Sequence, residues 1–278
     1  MVNAKMCIKS GEICGLHFEN PNSNAKKVLL TVDLSVDVIQ HAIKNKIGLI
    51  IARYGLIVNP IKSFSETLVK KAFLLSKSLI SVYTLGEPFT TAENGICSTI
   101  INILFLNNTE TLSISNEFGK NFPIGLICSP EQYPNQKKPF QLKNLVQRAE
   151  HNFEYAQILY IGGLENKIEK IAVAGTEYVN INTLIKLKKL SVDCLVSMGV
   201  LGQYESIFAK ELNLCVISLS FYDCVKKALK KLTNILSLEF PREEFYLYNS
   251  KNPYNISSFE NNVFINPELE LKKNSKQV

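Results

Sequence analysis

Seven side chains in this 278-residue sequence stand where α/β proteins do chemistry: Asp33, Arg53, Tyr54, Glu87, Thr90, Tyr222 and Asp223. Each follows a short apolar run that reads as a strand, and open α/β sheets bind ligands outside the carboxyl ends of their strands. Arg53 is a permanent cation with a planar fork of donors, suited to a phosphate or a carboxylate. Asp33, Glu87 and Asp223 offer carboxylates for acid–base work beside it. A plainer use is equally open, in which Arg53 pairs with Asp33 or Asp223 and the charges only hold the structure together. In the second half of the chain the equivalent segments are Gly175-Thr176-Glu177, Ser197-Met198-Gly199 and Ser220-Phe221-Tyr222-Asp223.

The sequence carries no G-x-x-x-x-G-K-[ST], G-x-G-x-x-G, G-x-S-x-G or H-E-x-x-H signature. Gly162-Gly163 and Gly199-x-x-Gly202 read as turn glycines. The three histidines, His17, His41 and His151, fall on separate predicted elements and form no ligand cluster. Seven cysteines (Cys7, Cys14, Cys97, Cys128, Cys194, Cys215, Cys224) include no C-x-x-C pair. Several lie in apolar runs, so small buried thiols in a reducing compartment are expected.

Positioning those side chains needs a regular scaffold, and the chain alternates strand and helix signals. Lys27–Asp33, Leu49–Ala52 and Leu79–Thr84 read as strands, with helices from Ser35 to Asn45, Glu66 to Ser76 and Ile96 to Leu106. Asn107–Ser115 and Phe122–Cys128 read as shorter strands, followed by a polar, proline-marked connection from Pro130 to Pro139. The rhythm returns with a helix over Leu142–Asn152 and strands at Ile158–Ile161 and Ile171–Ala174. A helix over Ile181–Lys189, strands at Cys194–Val196 and Val216–Leu219, and a long helix from about Tyr222 to Leu236 complete it. This predicts an α/β fold of two β-α-β lobes with a cleft between them. The lobes are expected at residues 1–106 and 141–248, joined by 107–140 and followed by a tail over 249–278.

Composition bounds the rest. Hydrophobic residues make up 46% and charged residues 20% of the chain, which excludes a mainly disordered protein. No apolar run reaches the roughly 18 residues of a membrane span. The first residues lack the apolar core of a signal peptide, so a cytoplasmic protein is expected, with nucleus and mitochondrion as alternative compartments. The net charge of +6 is scattered as lysine pairs without interleaved aromatics, so nucleic acid is not an expected partner.

The order of these segments resembles the Nif-three-like family (NGG-one-interacting factor three; GTP cyclohydrolase 1 type 2 homologues). Gly15-Leu16-x-Phe18, IIARYGLIVNPIKS, VYTLGEPFTTAENGI, KIAVAGTE, VDCLVSMG and CVISLSFYDCV stand where that family has its marker segments. The resemblance implies a two-lobed α/β protein that assembles into a hexameric ring and binds two metal ions between the lobes through histidines and carboxylates. At the positions of those ligands this chain has Arg53, Tyr54, Thr90, Phe221 and Val225, and Gly86 where a further histidine is usual.

A divalent ion needs imidazole nitrogens or carboxylate oxygens, and Phe and Val have no lone pair to give. A guanidinium about 4 Å from a dication costs roughly 8 kcal/mol at an effective dielectric of 20. The expected protein is therefore a metal-free, cofactor-free relative acting as a non-catalytic scaffold or partner-binding homo-oligomer. The alternative is a metal-independent hydrolase or binder of a nucleotide or other phosphorylated small molecule, with Arg53 as its clamp.

Overall fold

The computed structural model describes residues 14–57, 61–115, 121–131, 139–153 and 158–254. Its first sheet is built from β1 (Gly15–Phe18), β2 (Lys27–Thr31), β3 (Leu49–Ala52) and β4 (Ser81–Thr84), joined late in the chain by β11 (Glu244–Leu247). The strand order is β1-β4-β3-β2-β11. All neighbours run parallel except β1, which lies antiparallel to β4. Helices α1 (Val36–Lys44) and α2 (Glu66–Lys77) make the crossovers that parallel strands require. Each begins at a serine whose hydroxyl accepts a backbone N–H: Ser35 from Val38 at 3.4 Å and Ser65 from Leu68 at 3.3 Å. After β4 come a single turn, α3 (Pro88–Thr91), and α4 (Ile96–Ile103).

The second sheet contains β5 (Leu106–Ser115), β6 (Asn121–Pro130), β7 (Leu159–Ile161), β8 (Ile171–Gly175), β9 (Cys194–Met198) and β10 (Cys215–Leu219). Its order is β5-β6-β8-β9-β10-β7, with β8, β9 and β10 parallel at its centre. Helices α5 (Leu142–Phe153), α6 (Ile181–Lys189), α7 (Gln203–Glu211) and α8 (Phe221–Glu239) surround it.

Strand alternation decides which side chains meet. Val28 and Leu30 of β2 enter the same core as Cys194, Val196 and Met198 of β9, together with apolar faces of α4, α5 and α8. Leu29 points the other way into the layer under α1, and Leu195 into the layer of α6 and α7. The two α/β halves thus share one continuous core, with a seam where the carboxyl ends of their strands approach.

Three expectations change. The stretch read as a connection over 107–140 supplies β5 and β6, so it belongs to the second sheet. Residues 244–247, counted with the second lobe, pair in parallel with β2 of the first sheet. The helix expected to run to Leu106 ends at Ile103, because Phe105 turns into the left-handed region at φ 53° and Leu106 already pairs with Pro130. The N-terminal reading, most of the 130–139 connection and the tail beyond residue 254 lie outside the described residues. Among the described residues no helix is long and apolar enough to cross a membrane.

Candidate functional site

The ladder of the first sheet extends past β3. The Arg53 N–H donates to the Thr31 carbonyl at 3.1 Å, and the Tyr54 N–H donates to the Val32 carbonyl at 3.0 Å. Leu49 and Ile51 pack on the shared core, so Arg53, two residues on, is directed to the same face. Its side chain is 1% exposed. The guanidinium carbon sits 4.7 Å from the centre of the Tyr54 ring and 6.0 Å from that of Phe221. The two rings are 6.1 Å apart.

Phe221 opens α8, where Ser220 accepts the Asp223 N–H at 3.3 Å. Asn252 in turn donates to the Ser220 hydroxyl at 3.0 Å. A strand end of the first sheet and a helix start of the second half therefore meet around one guanidinium. Stacking of this kind contributes about 2 kcal/mol where water is excluded.

A second link crosses the seam. Beyond β4, Gly86 takes φ 61° and turns the chain into α3, with the Thr90 N–H donating to the Glu87 carbonyl at 2.8 Å. Across from it, a single turn at Thr176–Tyr178 follows β8. The Tyr178 hydroxyl donates to the Glu87 carboxylate. Burial first, and the charge of Glu87 second, push the Tyr178 hydroxyl well above its ordinary range, with Glu177 adding to the effect and Arg53 opposing it. Tyr178 is thus a fixed neutral donor. The turn itself is held by Thr183, whose hydroxyl donates to the Tyr178 carbonyl at 2.7 Å.

The expected residues do not all meet in direct contact. Arg53 and Tyr54 gather with Phe221, and Glu87 is tied to Tyr178. Tyr222 keeps other company: burial raises its hydroxyl, and the charges of Asp33 and Asp223 reinforce the rise. Asp33 is also occupied locally, its Oδ1 accepting the Ser35 N–H at 3.0 Å and its carbonyl accepting the Thr31 hydroxyl at 3.0 Å. Thr90 is 1% exposed and its hydroxyl has no hydrogen-bond partner, although it occupies the position where the resemblance puts a carboxylate. Val225 is wholly buried in the shared core.

These residues do not fit a dinuclear metal centre. Where the strand end of β3 meets the start of α8 there are a guanidinium and two aromatic rings, and the permanent cation of Arg53 already sits between the halves. Among the described residues, no group of three or more His, Cys, Asp or Glu side chains gathers as a metal shell would. The histidines are dispersed: His17 lies on β1, His41 stacks edge-on against Tyr248 at 5.0 Å, and His151 is exposed in the last turn of α5.

Cys97, Cys128, Cys194, Cys215 and Cys224 are buried free thiols. Cys14 is disulfide-bonded, which corrects the expectation of reduced thiols there. Cys7 lies outside the described residues.

Tyr178 is the member of this constellation that the sequence reading missed. Gly175-Thr176-Glu177 marks the right strand end but stops one residue short, and no local pattern announces a hydroxyl that meets a carboxylate from another sheet.

The comparisons with known proteins agree with this architecture. A protein of Clostridium acetobutylicum described as "GTP cyclohydrolase 1 type 2 homolog" is 26% identical over 208 residues, covering 73% of this chain and 73% of that protein. The solved structure of protein ybgI, described as of unknown function, superposes with a TM-score of 0.74 at 14% identity, covering 91% of this chain and 95% of that one. A Bacillus cereus protein related to NIF3 gives 0.70 at 15% identity, over 92% and 97% of the two chains. At such identities the structures speak for the fold alone. Residues 5–253 match the family described as Duf34/NIF3 (NGG1p interacting factor 3), and the chain belongs to that family.

Proposed function

We propose that this chain is a metal-free member of the Duf34/NIF3 family, working as a non-catalytic scaffold or partner-binding protein. The single observation that carries the reading is the placement of Arg53. Its buried guanidinium stacks on Tyr54 and Phe221, three positions where the resemblance expects metal ligands. A dication there would meet a permanent charge of the same sign and no compensating carboxylate among those positions. Retention of the surrounding core beside loss of polar ligands is what separates a fold from the site grafted on it. Assembly into a ring of copies, and a cytoplasmic location, belong to the same reading.

Elemental analysis of protein purified without chelator tests it. Substoichiometric transition metal is expected, and two tightly held ions per chain would overturn the proposal.

The alternative clamp on a phosphorylated ligand is disfavoured by the 1% exposure of Arg53, which keeps its donors from a ligand in solution. A thermal-shift screen with nucleotides is expected to leave the transition in place. A specific ligand at 100 times its dissociation constant would add about 2.7 kcal/mol. Such a shift, if abolished in Arg53→Ala, would move the assignment to ligand binding.

A further inference from the structure

Helix α2 buries little of itself. Leu75 is its one fully buried residue, while Val69 is 52% and Phe73 61% exposed. Just ahead of the Ser65 cap, Phe64 is 76% and Ile61 44% exposed. Phe64 and Val69 occupy the two positions of a hydrophobic staple, the residue before the N-cap and the fourth of the helix. A staple would account for one ring near the helix start. It does not account for Phe64 remaining three-quarters in solvent, nor for Phe73 one turn further along the same ridge.

Charge on this face is one-sided. Lys62, Lys70 and Lys77 are exposed and Lys71 is half-buried, against the lone carboxylate of Glu66 among residues 61–77. The Lys77 ammonium stands 5.9 Å from the centre of the Phe73 ring. Cations and apolar groups are thus interleaved at one height along the ridge.

That interleaving bears on what can cover it. A bilayer surface favours apolar side chains on one side of a helix with cations behind them at headgroup level. Here the cations share the apolar ridge. A second copy meeting this face through a two-fold axis would set the same lysines against each other, which like charges at an interface oppose. An occupant with an apolar stripe edged by carboxylates answers both features.

We propose that the outer face of α2, from Ile61 to Lys77, is a docking surface for an acidic amphipathic helix of a partner protein. Val69 and Phe73 are its apolar anchors and Lys70 and Lys77 its charge contacts. This goes beyond the scaffold reading and does not depend on how the seam is filled.

The test uses the full chain and a fluorescein-labelled synthetic peptide, helix-forming, with leucines at i, i+4 and i+7 and glutamates on both flanks. Fluorescence anisotropy is expected to show saturable binding. It should weaken about tenfold or more in Phe73→Ser, a typical anchor loss, and similarly in the Lys70→Glu, Lys77→Glu double variant. Raising salt should weaken it as well. The same peptide with lysines in place of glutamates should not bind.

Because all the altered side chains lie in solvent, circular dichroism and melting temperature should be unchanged, so lost binding cannot be ascribed to lost folding. Equal binding by the lysine peptide, or binding indifferent to Phe73→Ser, would overturn the proposal. So would Phe73-dependent sedimentation with phosphatidylserine vesicles, which assigns the face to lipid. An oligomer that dissociates in Phe73→Ser would instead assign it to another copy and overturn the partner.

Discussion

At the scale of single residues, the seam depends on shape as much as charge. Arg53→Lys keeps the cation but loses the planar guanidinium that lies against Tyr54 and Phe221. It should cost about 1–2 kcal/mol in urea denaturation, the range of a desolvated cation–π contact. A neutral Arg53→Lys would show that the stack is incidental.

Tyr178 permits a separate test. Removing its hydroxyl withdraws a donor from the Glu87 carboxylate, a charge-assisted contact whose loss costs about 2 kcal/mol. A tyrosine hydroxyl ionises near 10 in an unfolded chain, and here burial and Glu87 hold it well above that. A raised folded value means the contribution is complete below about 10 and fades as pH climbs past it. The wild-type chain should therefore lose stability above about pH 10 more steeply than Tyr178→Phe, measured as urea midpoints against pH. A residual slope is expected in the variant, since the thiols of Cys97, Cys128, Cys194 and Cys224 are raised in the same direction. Identical slopes would remove Tyr178 from the account.

At the scale of elements, close approach of backbones sets the sharpest constraint. Gly48 leads into β3, its N–H donating to Lys27 and its carbonyl accepting from Ser81. A Cβ there would lie 1.7 Å from the Asn24 carbonyl oxygen and 2.4 Å from its carbon. Both are backbone atoms and cannot swing aside. Gly48→Ala should cost about 3 kcal/mol, the upper end for forced overpacking, and should speed amide exchange in β2 and β3.

This bears on what the sequence could disclose. Apolar runs bounded by capping residues made β2, β3, β8, α1 and α6 readable, because burial and the cap act locally. Strand β11 was unreadable as a member of the first sheet. Glu244–Leu247 is short, and chain neighbours usually stay neighbours in space. Nineteen residues of α8 carry the chain about 28 Å back to β2. The grouping of Arg53 with Phe221 followed from aligned segments, whereas the Glu87–Tyr178 contact depends on how the sheets face each other, which no local signal encodes.

At the scale of the whole molecule, the decisive fact is that one core serves both sheets. Val28, Leu30 and Leu85 from the first half pack in the same cluster as Val173, Val196 and Ile217 from the second, with α4, α5 and α8 between them. Neither half can open without exposing apolar surface of the other, so the two should unfold together rather than in sequence. The buried thiols report on this directly. Cys97 and Cys224 lie on α4 and α8, while Cys128, Cys194 and Cys215 lie on three strands of the second sheet. Burial pushes the Cys128 thiol up to about 12 and holds the Cys97 and Cys194 thiols well above the ordinary range too, so little nucleophilic thiolate exists at neutral pH. In native protein these thiols should resist a thiol reagent, and denaturant should release all five. As urea rises, their labelling should follow a single transition that coincides with loss of the helical signal. Early release of Cys194 and Cys215 ahead of Cys97 and Cys224 would show that the second sheet opens alone, and that the seam around Arg53 is a hinge between separate units rather than part of one cooperative body.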